Sequence, residues 1–327
     1  MIVITGGAGF IGSNLIAALE HRNVGLIVVD RLGHGEKWRN IAKRELVALI
    51  PPESLFDHLD ANAESISGVF HLGAVSSTTE TDADLIVRTN FTLSQRIWTW
   101  CAERRVRLIY ASSAATYGAG LAGFEDDNAP DALARLEPLN AYGWSKLLFD
   151  RWAVRQTTRS YPRPPQWVGL RFFNVYGPNE YHKGGQRSVV HQVFEQARSG
   201  QPAVLFRSHR PDYRDGGQRR DFVWVDDVVD MMLWLLDHPR ISGIFNAGSG
   251  EARSFADLAR AVFEALGREP EITYVDTPEA IRDKYQYLTE ARMDRLRQAG
   301  YSGTPTPLEE GVRRYVQEFL GAPDPYR

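Results

Sequence analysis

The 327-residue chain contains a single cysteine, Cys101. One thiol cannot form an intramolecular disulfide, so the sequence favours a reducing compartment, with Cys101 as a buried thiol inside a helix. No apolar run is long enough for a signal peptide or a membrane span, and Met1 leads directly into the short apolar segment Ile2-Val3-Ile4. These absences predict a soluble, cytoplasmic protein.

An excess of charge of either sign is also missing. The 38 Lys and Arg side chains oppose 41 Asp and Glu side chains, which leaves a formal net charge of −3. This balance gives no electrostatic reason to expect nucleic acid or an anionic membrane as a partner, and no metal site is predicted. Hydrophobic residues, by contrast, make up 43% of the chain, which is enough for a sizeable buried core.

The first half of the chain alternates short β-branched apolar runs with longer amphipathic segments, as the βα units of a parallel sheet do. The predicted strands are Met1–Thr5, Leu26–Asp30, Leu46–Ile50, Gly68–Leu72, Arg107–Ser112 and Val168–Phe172. The predicted helices are Ser13–His21, Asp84–Arg105 and Tyr142–Thr157. The pattern predicts an α/β protein with a Rossmann-type, doubly wound parallel sheet.

The second half has a less regular pattern. Two segments are typical of strands, Asp221–Val225 and Gly243–Asn246, and the polar stretch Arg207–Arg220 is typical of a loop or flap. The predicted helices are Ser188–Arg198, Val228–Leu236, Phe255–Leu266 and Leu308–Leu320. We therefore expect a dinucleotide-binding domain at residues 1–175 and a smaller, mainly substrate-binding α/β lobe at residues 176–327. Segments near residues 221–250 are expected to return to the first domain.

Three glycines, Gly6, Gly9 and Gly12, lie three residues apart between the first predicted strand and the first predicted helix. Glycines at this spacing allow a tight turn, a close approach of the backbone to a pyrophosphate, and close packing of the helix on the strand. The amino end of the helix adds free N–H groups and a positive dipole. We expect this turn, with Phe10 and Ile11, to bind a nicotinamide dinucleotide.

The residue at the end of the second predicted strand bears on the choice between NAD and NADP. Asp30 can accept hydrogen bonds from both ribose hydroxyls of an adenosine, which alone suggests NAD. Arg31 and Lys37 follow closely, and two cations at this place would neutralise a 2′-phosphate. We expect NADP, and NAD remains the alternative.

Tyr142 and Lys146 lie four residues apart on a predicted helix, and so on one face of it. When a hydride leaves a secondary alcohol carbon, the hydroxyl proton must leave too, and a tyrosine with a lowered pKa can accept it. Lys146 is expected to lower that pKa and to hold the nicotinamide ribose. Ser113, at the end of the fifth predicted strand, is expected to donate a hydrogen bond to the same substrate oxygen.

With these motifs in place, the chain resembles the extended short-chain dehydrogenase/reductase family over nearly its whole length. Further segments that match the family are His71–Ser76, Ala111–Gly118 and Arg220–Val228. The resemblance implies that further residues bind the dinucleotide, namely Leu72, Gly73, Ala74, Val75, Ser76, Asn90 and Val175. It also suggests a homo-oligomer, without indicating the number of subunits.

Two alanines bear on the reaction. Sugar-nucleotide dehydratases of this family carry an Asp-Glu pair where this chain has Ala114 and Ala115. Without that acid and base, the site can oxidise and reduce but is poorly equipped to eliminate water, which favours an epimerase or a simple reductase.

Finer matches resemble the ADP-heptose epimerases of the family. The matching segments are Ser76–Glu80, Phe173–Pro178, His182–Gly184 and Asp283–Gln286. The resemblance implies that NADP serves to invert C6 of the heptose in ADP-D-glycero-D-manno-heptose through a ketone, for lipopolysaccharide core synthesis. It assigns the two proton-handling roles to Tyr142 and Lys183. Alternatives are an epimerase or reductase of another nucleotide sugar, such as a UDP-hexose, and a non-enzymatic dinucleotide sensor, which the intact Ser/Tyr/Lys set disfavours.

Several residues match substrate-binding positions of the family, and some of them depart from its pattern. The matching positions are Ser113, Asn174, Lys183, Gly185, Gln192, Phe206, Arg220 and Tyr285. At Gln192 the family has a histidine, at Gly185 it has a serine, and the segment Arg207–Gln218 is longer than the family's connection. These departures leave the exact sugar and base open.

Overall fold

The computed structural model describes residues 1–282 and 285–327, so Asp283 and Lys284 of the predicted Asp283–Gln286 motif lie outside the described residues. The strands are β1 (Ile2–Thr5), β2 (Leu26–Val29), β3 (Ala48–Ile50), β4 (Gly68–His71), β5 (Arg107–Ser113), β6 (Trp167–Phe172), β7 (Asn174–Tyr176), β8 (Ala203–Phe206), β9 (Arg219–Trp224), β10 (Gly243–Ala247), β11 (Ala252–Ser254) and β12 (Ile272–Val275).

The α-helices alternate with these strands through most of the chain. They are α1 (Phe10–Glu20), α2 (Leu55–Ala61), α3 (Ala83–Ile86), α4 (Leu93–Glu103), α5 (Pro130–Ala134), α6 (Ala141–Thr158), α7 (Val189–Arg198), α8 (Val225–Asp237), α9 (Phe255–Ala265), α10 (Glu279–Arg282), α11 (Asp294–Gln298) and α12 (Leu308–Arg314). A π-helical segment, Val87–Thr92, joins α3 to α4, and another, Tyr315–Leu320, extends α12.

The main sheet confirms the predicted fold class. Its seven strands are all parallel and follow the order β10-β6-β5-β4-β1-β2-β3, with helices on its faces. The six strands predicted for the first half all belong to it, and the later segment Gly243–Ala247 joins it beside β6. Strands β1, β2 and β4 are buried throughout, as expected for a sheet covered on both faces.

Short strands of the second half were harder to predict. Within the described residues, β7, β9 and β11 form one smaller sheet, and β8 pairs with β12 in another. Of these five strands, only β9 was predicted. The others are three or four residues long, and such runs carry little period-two signal.

The buried apolar side chains form two clusters. One covers the main sheet and includes Trp98, whose ring meets those of Phe149, Trp152 and Trp167 at centroid distances between 5.3 and 6.4 Å. The other lies mainly among the elements that follow β6, with Phe10 of α1, and includes Tyr315. The division into a dinucleotide-binding domain and a substrate-binding lobe near residue 175 stays a prediction.

Side-chain caps set the starts of two helices that carry candidate site residues, α6 and α7. The Asn140 side chain accepts a hydrogen bond from the Gly143 N–H at 2.8 Å, so α6 begins just before Tyr142. Ser188 caps α7 in the same way through the N–H of His191. None of the helices in the described ranges is long and apolar enough to cross a membrane.

The parallel strands deliver polar and glycine-rich segments to one edge of the sheet. Thr5, Val29, His71, Ser113 and Phe172 are the last residues of β1, β2, β4, β5 and β6. In open α/β sheets, ligands bind outside this carboxyl edge.

Candidate active site

A cavity of about 1490 Å³ opens at the carboxyl edge of the main sheet. Pockets for a single small ligand commonly span about 300–1,000 Å³, so this one has room for a cofactor and a substrate together. It brings together most of the predicted site residues, namely Gly6, Gly9, Phe10, Ile11, Gly12, Asp30, Arg31, Lys37, Leu72, Gly73, Ala74, Val75, Ser76, Ser113, Tyr142, Lys146, Asn174, Val175, Lys183, Gly185, Arg220 and Tyr285.

The glycine turn between β1 and α1 has no space for side chains. Gly6 has a φ of +69°, and a Cβ there would lie 2.6 Å from the Gly73 nitrogen. A Cβ on Gly12 would lie 2.3 Å from the Gly6 carbonyl oxygen. Because Gly9 caps α1 without a side chain, the first N–H groups of the helix face the cavity unobstructed. The turn therefore fits the pyrophosphate of a dinucleotide.

Asp30 lies at the end of β2 in a network that includes Lys37. One carboxylate oxygen accepts a hydrogen bond from the Ala8 N–H at 2.9 Å, and the other accepts one from the Lys37 ammonium at 2.6 Å. Lys37 also donates to the Arg31 carbonyl oxygen at 2.9 Å. The Arg31 side chain points outward and pairs with Glu53 at the rim. Two cations, each paired with a carboxylate, thus meet where the adenosine ribose is expected.

Ser113, Tyr142 and Lys146 lie together at the floor of the cavity. The Lys146 ammonium donates a hydrogen bond to the Ala111 carbonyl oxygen at 2.8 Å. Burial lowers its pKa to about 8, although the Asp150 carboxylate opposes that change. Burial raises the pKa of Tyr142, and a hydrogen bond with the Ser113 hydroxyl opposes it.

In the protein alone the pKa of Tyr142 is not lowered, and the effect expected of Lys146 stays a prediction. The pKa of Tyr142 lies above its ordinary value because burial outweighs the Ser113 hydrogen bond. The Lys146 ammonium is hydrogen-bonded to the Ala111 backbone carbonyl oxygen and lies 6.0 Å from the centroid of the Tyr142 ring. The protein alone therefore leaves Tyr142 protonated, and its deprotonation needs further positive charge in the cavity.

Lys183 reaches the cavity from a different direction. It lies in a short 3₁₀ turn, Tyr181–Gln186, between β7 and α7, and its ammonium is 5.4 Å from the centroid of the Phe10 ring. Burial lowers its pKa, which Glu180 partly opposes. A lysine with a lowered pKa gives up its proton more readily than an exposed lysine does. The cavity thus brings together two ionisable side chains, Tyr142 and Lys183, from separate elements.

Three predicted residues do not line the cavity. Asn90 is buried behind it, where its side chain accepts from the Val75 N–H and donates to the Val75 carbonyl oxygen, each at 2.9 Å. Gln192 is exposed and donates to the Arg187 carbonyl oxygen at 2.8 Å. Phe206 packs edge-on against Tyr285 at 5.9 Å between ring centroids. The structure places these three beside the wall of the cavity rather than in it, and their predicted parts in binding stay predictions.

Other residues of the wall were not predicted. They include four that carry or can carry positive charge, Arg88, Arg96, His182 and Arg187. Burial, with Lys37 and Lys183 nearby, lowers the pKa of His182 to about 4, so this imidazole is neutral at pH 7. No spacing in the sequence separates the three arginines from ordinary surface cations. Arg187 does directly precede the Ser188 cap of α7, which was a usable signal.

Arg220 lies on the substrate side of the cavity. Its guanidinium is 5.3 Å from the centroid of the Tyr285 ring and 5.5 Å from that of Phe255, so two aromatic faces hold it. It is almost fully buried and donates to the Arg219 carbonyl oxygen at 2.9 Å. A buried guanidinium, with one side-chain hydrogen bond among the described residues, suits a phosphate ligand.

A parallel Rossmann sheet with this glycine turn and a Ser, Tyr and Lys at one cavity defines a nicotinamide-dependent enzyme of the short-chain dehydrogenase/reductase class. Within the described ranges, no three His, Cys, Asp or Glu side chains are grouped so as to hold a metal ion. The chain belongs to the NAD dependent epimerase/dehydratase family, whose sequence model matches residues 2–248.

Relatives and solved structures point to nucleotide-sugar epimerases. The chain is 48% identical over 332 residues to the ADP-L-glycero-D-manno-heptose-6-epimerase of Nitratidesulfovibrio vulgaris, with 100% of each chain covered. The crystal structure of the Helicobacter pylori ADP-L-glycero-D-manno-heptose-6-epimerase has a TM-score of 0.76 at 30% identity, covering 97% of this chain and 95% of that one. Thermus thermophilus UDP-glucose 4-epimerase, in complex with NAD, also has a TM-score of 0.76 at 26% identity, covering 98% and 99%.

Proposed function

We propose that the protein inverts C6 of the heptose in ADP-D-glycero-D-manno-heptose to give ADP-L-glycero-D-manno-heptose, for lipopolysaccharide core synthesis. Full-length identity of 48% to a relative of that name supports the substrate. The observation that carries the reaction is that Tyr142, on α6, and Lys183, on the turn before α7, line one cavity. Two ionisable groups on separate elements suit a reaction in which the C6 hydroxyl loses its proton in one orientation and regains a proton in the other.

The chemistry of C6 explains the need for redox. This carbon bears no acidic proton, so simple deprotonation cannot invert it. A bound nicotinamide dinucleotide supplies a hydride acceptor and then a hydride donor. Tyr142 accepts the proton of the C6 hydroxyl as the ketone forms, while Ser113 donates a hydrogen bond to the same oxygen. The ketone then reorients in the cavity, so that its reduction takes place on the opposite face. Lys183 donates the proton to the oxygen in its new position.

The positive charge that Tyr142 needs comes from two sources in this scheme. An oxidised nicotinamide ring would be cationic when bound, and the Lys146 ammonium would add a second positive charge at the floor of the cavity. Both favour the phenolate over the phenol. Ala114 and Ala115 follow Ser113 in a 3₁₀ turn and offer neither acid nor base, which disfavours loss of water.

We propose NADP as the resident cofactor. The Lys37 ion pair neutralises Asp30, and Arg31 lies at the rim beside it, so a 2′-phosphate would meet two cations and no free carboxylate. NAD is the alternative, favoured by the carboxylate itself. Releasing the copurified dinucleotide by denaturation and weighing it by mass spectrometry distinguishes the two.

Conversion of purified ADP-D-glycero-D-manno-heptose, with the two C6 epimers separated by chromatography, tests the substrate. We expect the same mixture of epimers from either starting epimer. No interconversion at high enzyme concentration, with turnover of UDP-glucose in a parallel reaction, would favour the alternative of a UDP-hexose epimerase. No turnover of either, with dinucleotide bound, would favour a non-enzymatic sensor.

We also propose a cytoplasmic homo-oligomer. Cys101 is a buried free thiol, in keeping with a reducing compartment. Sedimentation velocity at several protein concentrations gives the number of subunits.

A further inference from the structure

Glu180 is a fully buried carboxylate at the start of the turn that carries Lys183. One of its oxygens accepts a hydrogen bond from the Ser188 N–H at 2.6 Å. The other accepts from the Ser188 hydroxyl at 2.5 Å and from the Tyr315 hydroxyl at 3.0 Å. Tyr315 belongs to the π-helical end of α12, 135 positions along the chain. Glu180 therefore ties the two ends of the turn to each other and to the last helix.

A buried carboxylate needs strong support to remain charged. All three donors to Glu180 are neutral, and no Lys, Arg or His of the described residues forms an ion pair with it at 4.0 Å or less. Burial raises the pKa of Glu180, and the hydrogen bonds from Ser188, the charge of Lys183 and the hydrogen bond from Tyr315 oppose that rise. The amino end of α7 also faces this carboxylate, and its dipole favours a negative charge there.

The same carboxylate acts on Lys183. The Glu180 carbonyl oxygen accepts a hydrogen bond from the Lys183 N–H at 3.0 Å, which closes the first bend of the turn. Lys183 is half-buried in the wall of the cavity, and the negative charge of Glu180 raises its pKa against the effect of burial. The remaining neighbours that titrate are His182, which is neutral at pH 7, and Tyr181 and Tyr315, whose pKa values burial raises.

We infer that Glu180 is a positioning residue for Lys183: it fixes the turn at both ends and supplies the charge that keeps the Lys183 ammonium available as a proton donor. This inference rests on the proposed function, because it assigns Glu180 a part in the step performed by Lys183.

The test compares Glu180→Gln with Lys183→Ala, singly and together. A glutamine at 180 keeps an acceptor for Ser188 or Tyr315, but its NH₂ group opposes the Ser188 N–H, so the end of the turn is released and the charge is lost. We expect kcat for ADP-D-glycero-D-manno-heptose to fall about tenfold or more, with KM nearly unchanged and the dinucleotide still bound. The limb of the pH–rate profile that Lys183 controls should move to lower pH.

The double variant separates a positioning role from a structural one. If Glu180 acts through Lys183, Glu180→Gln causes no further loss of kcat in the Lys183→Ala background. Glu318→Gln is the matched control, since Glu318 is an exposed carboxylate in the same π-helical segment as Tyr315 and pairs only loosely with Arg314. It should match the wild type in kcat and pH profile.

The outcomes are distinguishable. Wild-type activity of Lys183→Ala would overturn the proposed role of Lys183 itself. Loss in Lys183→Ala, with an unchanged kcat and pH profile in Glu180→Gln, would overturn only the role of Glu180, as would additive losses in the double variant. If Glu180→Gln does not fold, Glu180→Asp decides by the same cycle, because it keeps the charge but shortens the reach to Ser188. A normal kcat in Glu180→Asp would contradict positioning.

Discussion

The ammonium of Lys37 lies 2.6 Å from the carboxylate of Asp30 at the end of β2, and both side chains are largely buried. The same carboxylate accepts the N–H of Ala8, next to the glycine turn. In this arrangement the acidic residue that would accept the ribose hydroxyls of NAD is already neutralised. We therefore expect this ion pair to determine how the site treats a 2′-phosphate.

Replacing Lys37 with alanine should reverse the cofactor preference. The change removes a cation and leaves the Asp30 carboxylate free, so it would repel a 2′-phosphate and accept ribose hydroxyls instead. We expect the Kd for NADP to rise by about tenfold to a hundredfold, with the Kd for NAD unchanged or lower. Isothermal titration of the cofactor-free protein with each dinucleotide measures this. Lys43→Ala serves as control, because Lys43 pairs with Asp324 on the surface, and equal losses for both cofactors would contradict the prediction.

Replacing Tyr142 with phenylalanine should separate chemistry from binding. The ring remains to fill the floor of the cavity, and only the path for the proton is cut. We expect kcat to fall by about a hundredfold or more, with the dinucleotide still bound. Turnover of ADP-D-glycero-D-manno-heptose and the bound dinucleotide per subunit are measured on the same preparation. Activity close to that of the wild type would exclude Tyr142 as the proton acceptor.

Asn90 should affect cofactor binding without touching the cofactor. Its side chain joins both backbone groups of Val75 and also donates to the Ser145 hydroxyl at 3.1 Å, so it fixes the wall segment 72–76 to α6. Asn90→Ala leaves buried backbone groups of Val75 unpaired. We expect the Kd for the dinucleotide to rise about tenfold and the melting temperature to fall, whereas Asn62→Ala, which removes an amide that is bound only to the local His58 carbonyl oxygen, should leave the Kd unchanged.

Local spacing was enough to predict the parts of the site that lie on one element. Gly6, Gly9 and Gly12 follow from a turn between a strand and a helix, and Tyr142 and Lys146 follow from one turn of α6. The directions of the Asn90 and Gln192 side chains were not predictable, because they depend on how the π-helical segment Val87–Thr92 and helix α7 are rotated against the sheet. Contacts between residues far apart in the sequence could not be predicted either, since nothing near Glu180 in the sequence indicates that Tyr315 binds it.

The strands of the fold also differ in how well the sequence predicts them. Strands of the main sheet such as Ile2–Thr5 and Leu26–Val29 are buried on both faces. Their sequences are therefore continuous apolar runs, which can be recognised without knowledge of the partner strand. Strands β8 and β12 expose alternate residues such as Val204 and are held by pairing with each other across about seventy positions of sequence. The sequences of these short strands cannot be distinguished from loop sequences unless the partner strand is known.

His71, at the end of β4, is a buried imidazole whose two nitrogens are both hydrogen-bonded. Its Nδ1 lies 2.7 Å from the Thr5 hydroxyl and its Nε2 lies 2.8 Å from the Ser94 hydroxyl. Ser94 donates its own proton to the Asn90 carbonyl oxygen, so it accepts from Nε2–H, and Thr5 then donates to Nδ1. This network accommodates the neutral ring, and a second ring proton would face the Thr5 proton.

The stability of the protein should therefore depend on the protonation of His71. Burial, with the nearby Lys146 ammonium, lowers its pKa to about 3 in the folded protein, whereas an unfolded histidine titrates near about 6.5. Between these values the unfolded chain binds a proton that the folded one does not. The contribution is thus complete above about pH 6.5 and falls by about 1.4 kcal/mol per pH unit as the pH is lowered towards 3. Urea unfolding at steps from pH 7 to pH 5 measures the slope. His71→Asn should lower the slope of the unfolding free energy against pH by an amount that corresponds to about one proton. His21→Asn, at an exposed position, should leave the slope unchanged. Equal slopes in all three proteins would show that the buried His71 ring is already charged.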